Sequence, residues 1–290
     1  MNKLNENIFH QYNKWKSGYV RKETVIEKRI KEMTEWVKEK FATIEYNIDD
    51  FEIDGFEGIS YDGSLSLMIN DTMLVDGKLP YPFNKVSTHF VFYYCKTLLS
   101  LENTPRFARG ISIQNCPKIE SLKGGPEYTE IVSIRKCDSL TSLEGAPVKM
   151  HPNGTFCIRD CIKLKSLKGI SVIGRSFECN GCISLTSLKG LPDKIDGYLE
   201  CDRCDSLKNL VGCPKEVGGH FDCQNCANLT SLEGAPEIIG TRCWLCNNHQ
   251  LKSLKYTPSV IGGELLIPSQ FTENDVPDYV DADLIRVFKG

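Results

Sequence analysis

The chain has 290 residues, 41% of them hydrophobic, and a formal net charge of −3, which is enough apolar material for one large domain or two ordinary ones. With a pI near 6.0 it carries no basic footprint for nucleic acid or an anionic membrane, and no stretch approaches the roughly 18 to 20 apolar residues that span a bilayer. The opening MNKLNENIFHQYNKWK lacks a secretory apolar core, so an intracellular, cytoplasmic protein is expected.

Residues 1–48 are charged, free of cysteine and contain a single glycine, Gly18. Ile8, Tyr12 and Trp15 suggest a short amphipathic helix, and Ile26, Ile30, Met33, Val37 and Phe41 a longer one at three-and-four spacing. Both are expected to form an N-terminal helical cap over the open end of a stack of repeats. From 49 to 88 the period drops to two. Phe51, Ile53, Leu65, Leu67 and Ile69 alternate in stretches broken by Gly55, Gly58 and Gly63, the pattern of strands. Leu65, Leu67, Asn70 and Met73 spell a degenerate first repeat with asparagine in a position that cysteine takes later.

The span 89–267 is periodic. Cys95, Cys116, Cys137, Cys161, Cys182, Cys204 and Cys226 are each followed by a leucine-type residue three positions on and by leucine six positions on. An eighth copy runs from Cys246 to Leu254 with His249 and Gln250 read as a two-residue insertion. A fixed period of this size is the signature of a stacked repeat. Five residues before the cysteine stand Phe90, Ile111, Val132, Phe156, Phe177, Leu199, Phe221 and Thr241; three before it stand Phe92, Ile113, Ile134, Ile158, Cys179, Cys201, Cys223 and Cys243. Two apolar columns separated by a mostly polar one describe a strand with one buried face. Turns such as Gly145-Ala146-Pro147 and Gly234-Ala235-Pro236 punctuate each unit and leave little room for a returning helix. Residues 268–290, rich in Asp and Pro, read as a C-terminal cap or tail.

The fourteen cysteines admit two readings. Four Cys-x-x-Cys pairs (179/182, 201/204, 223/226 and 243/246) could supply tetrahedral thiolate sites, making a zinc-binding repeat module the alternative. Yet the first cysteine of each pair shares its column with Phe92, Ile113, Ile134 and Ile158, and phenylalanine is no metal ligand. Free cysteine packs as a small hydrophobe, so the reading is a cysteine-rich core with no metal or other cofactor. Cys213 replaces Ala146 and Ala235 in a turn, again as packing. Cys157 falls on the outward face, without a repeat-matched base to activate it.

The pattern Leu199-x-Cys201-x-x-Cys204-x-x-Leu207 resembles the leucine-rich repeat. The short units and proline-bearing returns look most like bacterial effector-type repeats, and Ser-Leu-Glu-Gly-Ala-Pro at 142–147 and 231–236 resembles repeat proteins encoded by tailed bacteriophages. The resemblance covers about residues 60–268. It implies a leucine-rich-repeat solenoid, mainly β, whose concave sheet binds a protein, with a phage-encoded inhibitor of a host defence or regulatory factor as one expected role in the host cytoplasm.

Function in such a stack resides on the variable columns between the buried ones. Four before the cysteine these are Val91, Ser112, Ser133, Cys157, Glu178, Glu200, Asp222 and Arg242; two before it, Tyr93, Gln114, Arg135, Arg159, Asn180, Asp202, Gln224 and Trp244. The candidate partner-binding residues are Tyr93, Tyr94, Arg135, Lys136, Arg159, Glu178, Glu200, Asp202, Asp222, Arg242 and Trp244. Aromatic residues and arginine suit interface hot spots, and Glu178, Glu200 and Asp222 form a ladder of like charges that adjacent strands disfavour. Arg203 and Arg242 are expected to neutralise part of it. No nucleophile elbow, phosphate loop or His-Glu-x-x-His pair is present, and His10, His89, His151, His220 and His249 are scattered, so no enzymatic activity is expected. A heterologous protein partner leads; self-assembly as a structural or virion-associated component is the alternative.

Overall fold

The computed structural model describes residues 20–42 and 46–288; the short helix expected around Ile8 to Trp15 lies outside them. Helix α1 (Val20–Phe41) buries Met33, Val37 and Phe41 completely, the inner stripe expected from their spacing. It lies against Gly55, where an added Cβ would come within 2.6 Å of Ile26. Trp36 meets Phe41 edge-on at 5.6 Å and Phe41 packs on Phe51 at 5.1 Å.

The remainder is a mainly-β solenoid with turns of about 22 residues. Strands β1 (Phe51–Asp54) and β2 (Gly58–Tyr61) form an antiparallel hairpin. Thereafter pairing is parallel: β3 (Leu67–Ile69) and β4 (Phe83–Tyr93), then β5 (Phe107–Gln114), β6 (Tyr128–Arg135), β7 (Lys149–Arg159) and β8 (Ser176–Glu178). Beyond β8 each turn carries two short segments. The pairs are β9 (Lys194–Ile195) with β10 (Leu199–Glu200), β11 (Glu216–Val217) with β12 (Phe221–Asp222), and β13 (Ile238–Ile239) with β14 (Cys243–Trp244). The two ladders rejoin in β15 (Val260–Ile267), and β16 (Asp281–Val287) closes the sheet in parallel with it. The return side thus has no helix but a second strand ladder, with Ile195, Val217, Ile239 and Ile261 buried in line.

Two positions per turn adopt left-handed backbone, and they fix the register. Just before the cysteine, Tyr94, Asn115, Lys136, Asp160, Gly181, Arg203, Asn225 and Asn247 all have φ between 52° and 70°; eight after it come Asn103, Gly124, Gly145, Gly169, Gly190, Gly212, Gly234 and Tyr256. At Gly145 a Cβ would sit 2.4 Å from the Leu122 carbonyl oxygen, so the turn requires glycine there. This register corrects the eighth copy. Asn248, not Cys246, occupies the cysteine column, Leu251 and Leu254 follow at three and six, and His249 and Gln250 are no insertion. The strand partners agree, since Phe221 faces Cys243 and Asp222 faces Trp244.

The lead-in repeat shifts as well. Leu67 and Ile69 are the buried pair, facing Phe90 and Phe92. Leu65 is exposed. Asn70 is also exposed, its side chain accepting from Thr72 N at the head of a short 3-10 turn.

The cysteine column has one structural task. The thiols of Cys95, Cys116, Cys137, Cys182, Cys204 and Cys226 donate to carbonyl oxygens of the preceding turn at 3.2 to 4.0 Å. Asn248, fully buried, does the same with Nδ2 to Cys223 O at 2.7 Å and accepts from Cys226 N at 2.9 Å. Each residue there satisfies backbone groups that the strand leaves unpaired where it turns. Among the described residues no three His, Cys, Asp or Glu side chains converge as metal ligands. The fourth Cys-x-x-Cys pair is divided between columns, Cys243 facing inward where Phe221 and Leu199 do, and Cys246 lying in the outward column of Gln224 and Asp202.

Candidate protein-binding face

Alternation along each strand places three columns on the outward face of the long sheet. Six before the cysteine column are Thr155, Ser176, Tyr198, His220 and Arg242; four before are Cys157, Glu178, Glu200, Asp222 and Trp244; two before are Arg159, Asn180, Asp202, Gln224 and Cys246. Arg242 therefore moves out of the column with Glu200 and Asp222 expected from sequence, and Trp244 takes its place.

At the N-terminal end of the face Tyr93 and Tyr94 are exposed and meet edge-on at 4.5 Å. Tyr94 and Lys136 hold the left-handed turn position rather than a strand position. Arg135 lies 3.7 Å from Asp160.

The carboxylate ladder is real in register: Glu178 faces Glu200, which faces Asp222. Its members differ sharply in surroundings. Glu178 is 0% exposed. The Arg159 guanidinium grips both its oxygens, Nη2 at 2.7 Å from Oε2. The Cys157 thiol donates to Oε2 at 2.7 Å and Asn180 Nδ2 to Oε1 at 2.8 Å. Arg159, expected as a free interface cation, is thus the counter-ion of a buried acid, and the hydrogen bond to Glu178 holds its charge firmly. Burial, then Glu178, pushes the Cys157 thiol up to about 12, leaving almost no thiolate at neutral pH.

Asn180 bridges onward, donating to Glu200 Oε2 at 2.8 Å and accepting from Asp202 N at 2.8 Å. Glu200 Oε1 lies 3.0 Å from His220 Nε2. Asp202 accepts from Asn225 Nδ2 at 2.8 Å and pairs with Arg203 at 3.3 Å. Among the described residues Asp222 receives only amide donors, Gln224 N and Nε2 at 2.9 to 3.2 Å. Burial first, then the charges of Asp202 and Glu200, push its carboxyl up to about 6.

Sequence reasoning missed two residues of this face. Tyr198 and His220 stand one above the other, centroids 5.1 Å apart and planes 7° apart, and His220 lies 5.5 Å from Trp244. Arg242 sits over the Trp244 ring at 5.8 Å. The signal was their shared place six before the column, a third outward position that alternation required.

A separate cleft of 440 Å³ at the other end is lined by Asp50, Glu52, Asp54, Glu57 and Asp62 with Lys85. Among the described residues no helix is long and apolar enough to cross a membrane. No protein-family model, curated protein or solved structure matches the chain.

Proposed function

We propose that the protein is a non-enzymatic, leucine-rich-repeat-type solenoid that binds a heterologous protein through the outward face of its long sheet. The acidic turns from Glu178 to Trp244 would meet a basic patch on that partner. The observation that carries this reading is Glu200 directly facing Asp222 on adjacent strands, with no cation paired to Asp222 among the described residues. Like charges opposed across strands are destabilising, and the fold's inner columns do not require them. The phage resemblance makes a host defence or regulatory protein in the cytoplasm the proposed target.

The test is affinity capture from host lysate with the parent and with Glu200→Lys/Asp222→Lys side by side at low salt. A partner retained by the parent and lost by the reversal supports the reading; equal retention overturns it. Self-assembly is the second reading, favoured by β16, which pairs with β15 alone among the described strands and so offers an open edge. Light scattering separates the two, since a monomer fits the heterologous partner and a defined oligomer the structural role.

A further inference from the structure

We propose that Trp244, His220 and Tyr198, together with the carboxylates of Glu200 and Asp222, seat the guanidinium of an arginine supplied by the partner. The proposal rests on the reading of this face as a protein-binding surface and specifies what the face grips.

Three features bear on that chemistry. The rings form a continuous ledge across three turns, Tyr198 to His220 at 5.1 Å and His220 to Trp244 at 5.5 Å, and each remains partly exposed. The faces that Tyr198, His220 and Trp244 turn toward one another are used within the stack, so the π surface left for a cation, attracted there by the ring quadrupole, is at the two ends of the ledge, on Tyr198 and Trp244.

Charge supplies the second feature. Arg159 is committed to Glu178 and Arg203 to Asp202. Among the described residues Glu200 pairs only with His220, and Asp222 with no cation. The uncompensated negative charge lies in the column of Trp244, one strand away from its ring. An incoming cation would find carboxylates already gathered and partly desolvated beside the aromatic ledge.

The third feature is Arg242. Its guanidinium already lies over the Trp244 ring at 5.8 Å, so the indole holds a guanidinium from its own chain, and an arginine from the partner would take that place. A guanidinium can stack on an aromatic face and fork onto a carboxylate at once, which a compact ammonium cannot. That combination singles out arginine over lysine.

The test measures fluorescence anisotropy of a fluorescein-labelled hexa-arginine peptide at low ionic strength, with hexalysine and a neutral cello-oligosaccharide as comparison ligands. Trp244→Ala is expected to weaken hexa-arginine by about tenfold and Trp244→Phe by less than about threefold. Hexalysine should bind about fivefold more weakly than hexa-arginine. Glu52→Gln/Asp54→Asn, which neutralises the distant acidic cleft, should leave binding unchanged. If Trp244→Ala fails to give a cooperative melt, Tyr198→Ala at the opposite end of the ledge carries the same test. Unchanged binding in Trp244→Ala or Tyr198→Ala, with loss in Glu200→Gln/Asp222→Asn, would overturn the seat and leave the acidic-face reading standing. Binding indifferent to all of these variants would overturn both. Hexalysine bound as tightly as hexa-arginine, or the oligosaccharide bound more tightly than either, would also overturn the arginine assignment.

Discussion

The turns carrying β5 to β7 and those carrying β10 to β14 share one interior and differ in nearly everything else. Inside, both halves bury an apolar residue five before the cysteine column, leucine-type residues after it and hydrogen-bonded groups within it. Outside, the first half presents Ser112, Ser133, Gln114 and Arg135 on strands of 8 to 11 residues. The second presents carboxylates on segments of only 2 residues and stacked rings at or just before them.

Glycines line the corner between the two short segments: a Cβ at Gly240 would lie 1.9 Å from Gly218 O, and at Gly219 2.8 Å from Gly197 O, so backbone packs on backbone there. The same close approach at Gly154 in β7 and Gly262 in β15 leaves those strands unbroken. The lesson is that the interior fixes the stack, while the outward columns are free to diverge. In the second half they diverged against electrostatic preference.

If the interiors are equivalent, Leu143→Ala and Leu188→Ala, each emptying a fully buried site, should cost the same, about 2 to 5 kcal/mol. Urea unfolding of the two variants checks this, and a much smaller loss in one half would break the equivalence. Arg159 stands at the junction of the halves. Arg159→Met leaves Glu178 buried without its cation and should cost about 2 to 4 kcal/mol, less than a fully buried pair would because the Arg159 side chain is 50% exposed. A thermal melt matching the parent would mean that Glu178 finds water instead. The column residue tests the end of the stack. Asn248→Ala strips donors from Cys223 O and Leu245 O and the acceptor for Cys226 N, at a cost of about 1 to 3 kcal/mol. Cys204→Ala, which removes one weak thiol bond, should cost less.

The repeat, the inward columns and the face that carries candidate residues were legible in the sequence because a period-two strand inside a fixed repeat leaves few choices of face. The errors came where cysteine served as the marker. Cys246 lies two residues before the true column position, and the left-handed backbone at Asn247 and Tyr256 together with the pairing of Phe221 with Cys243 shows that Asn248 is its occupant. Asparagine offers the same donor as the thiol and one acceptor more, so chemistry rather than residue identity marks the column. Burial of Glu178 was not legible either. An acid in an outward column reads as solvated until Arg159 and Cys157 from the preceding turn and Asn180 from its own close over it. The ledge was hidden because Tyr198 and His220 lie outside the two outward columns nearest the cysteine.

Asp222 tests the central claim most directly, that the second half holds charge on its outward face against the stability of the fold. Its carboxyl rises from an ordinary 3.8 to about 6 on folding, so the native state binds more protons between those values and loses stability as pH rises through them. The penalty is absent below about pH 4 and complete above about pH 6. Unfolding free energies of the parent and Asp222→Asn across pH 4 to 8 should therefore show the variant more stable by about 1 to 2 kcal/mol at pH 7.5, with the gap closing toward pH 4. A variant no more stable than the parent at pH 7.5 would contradict the account.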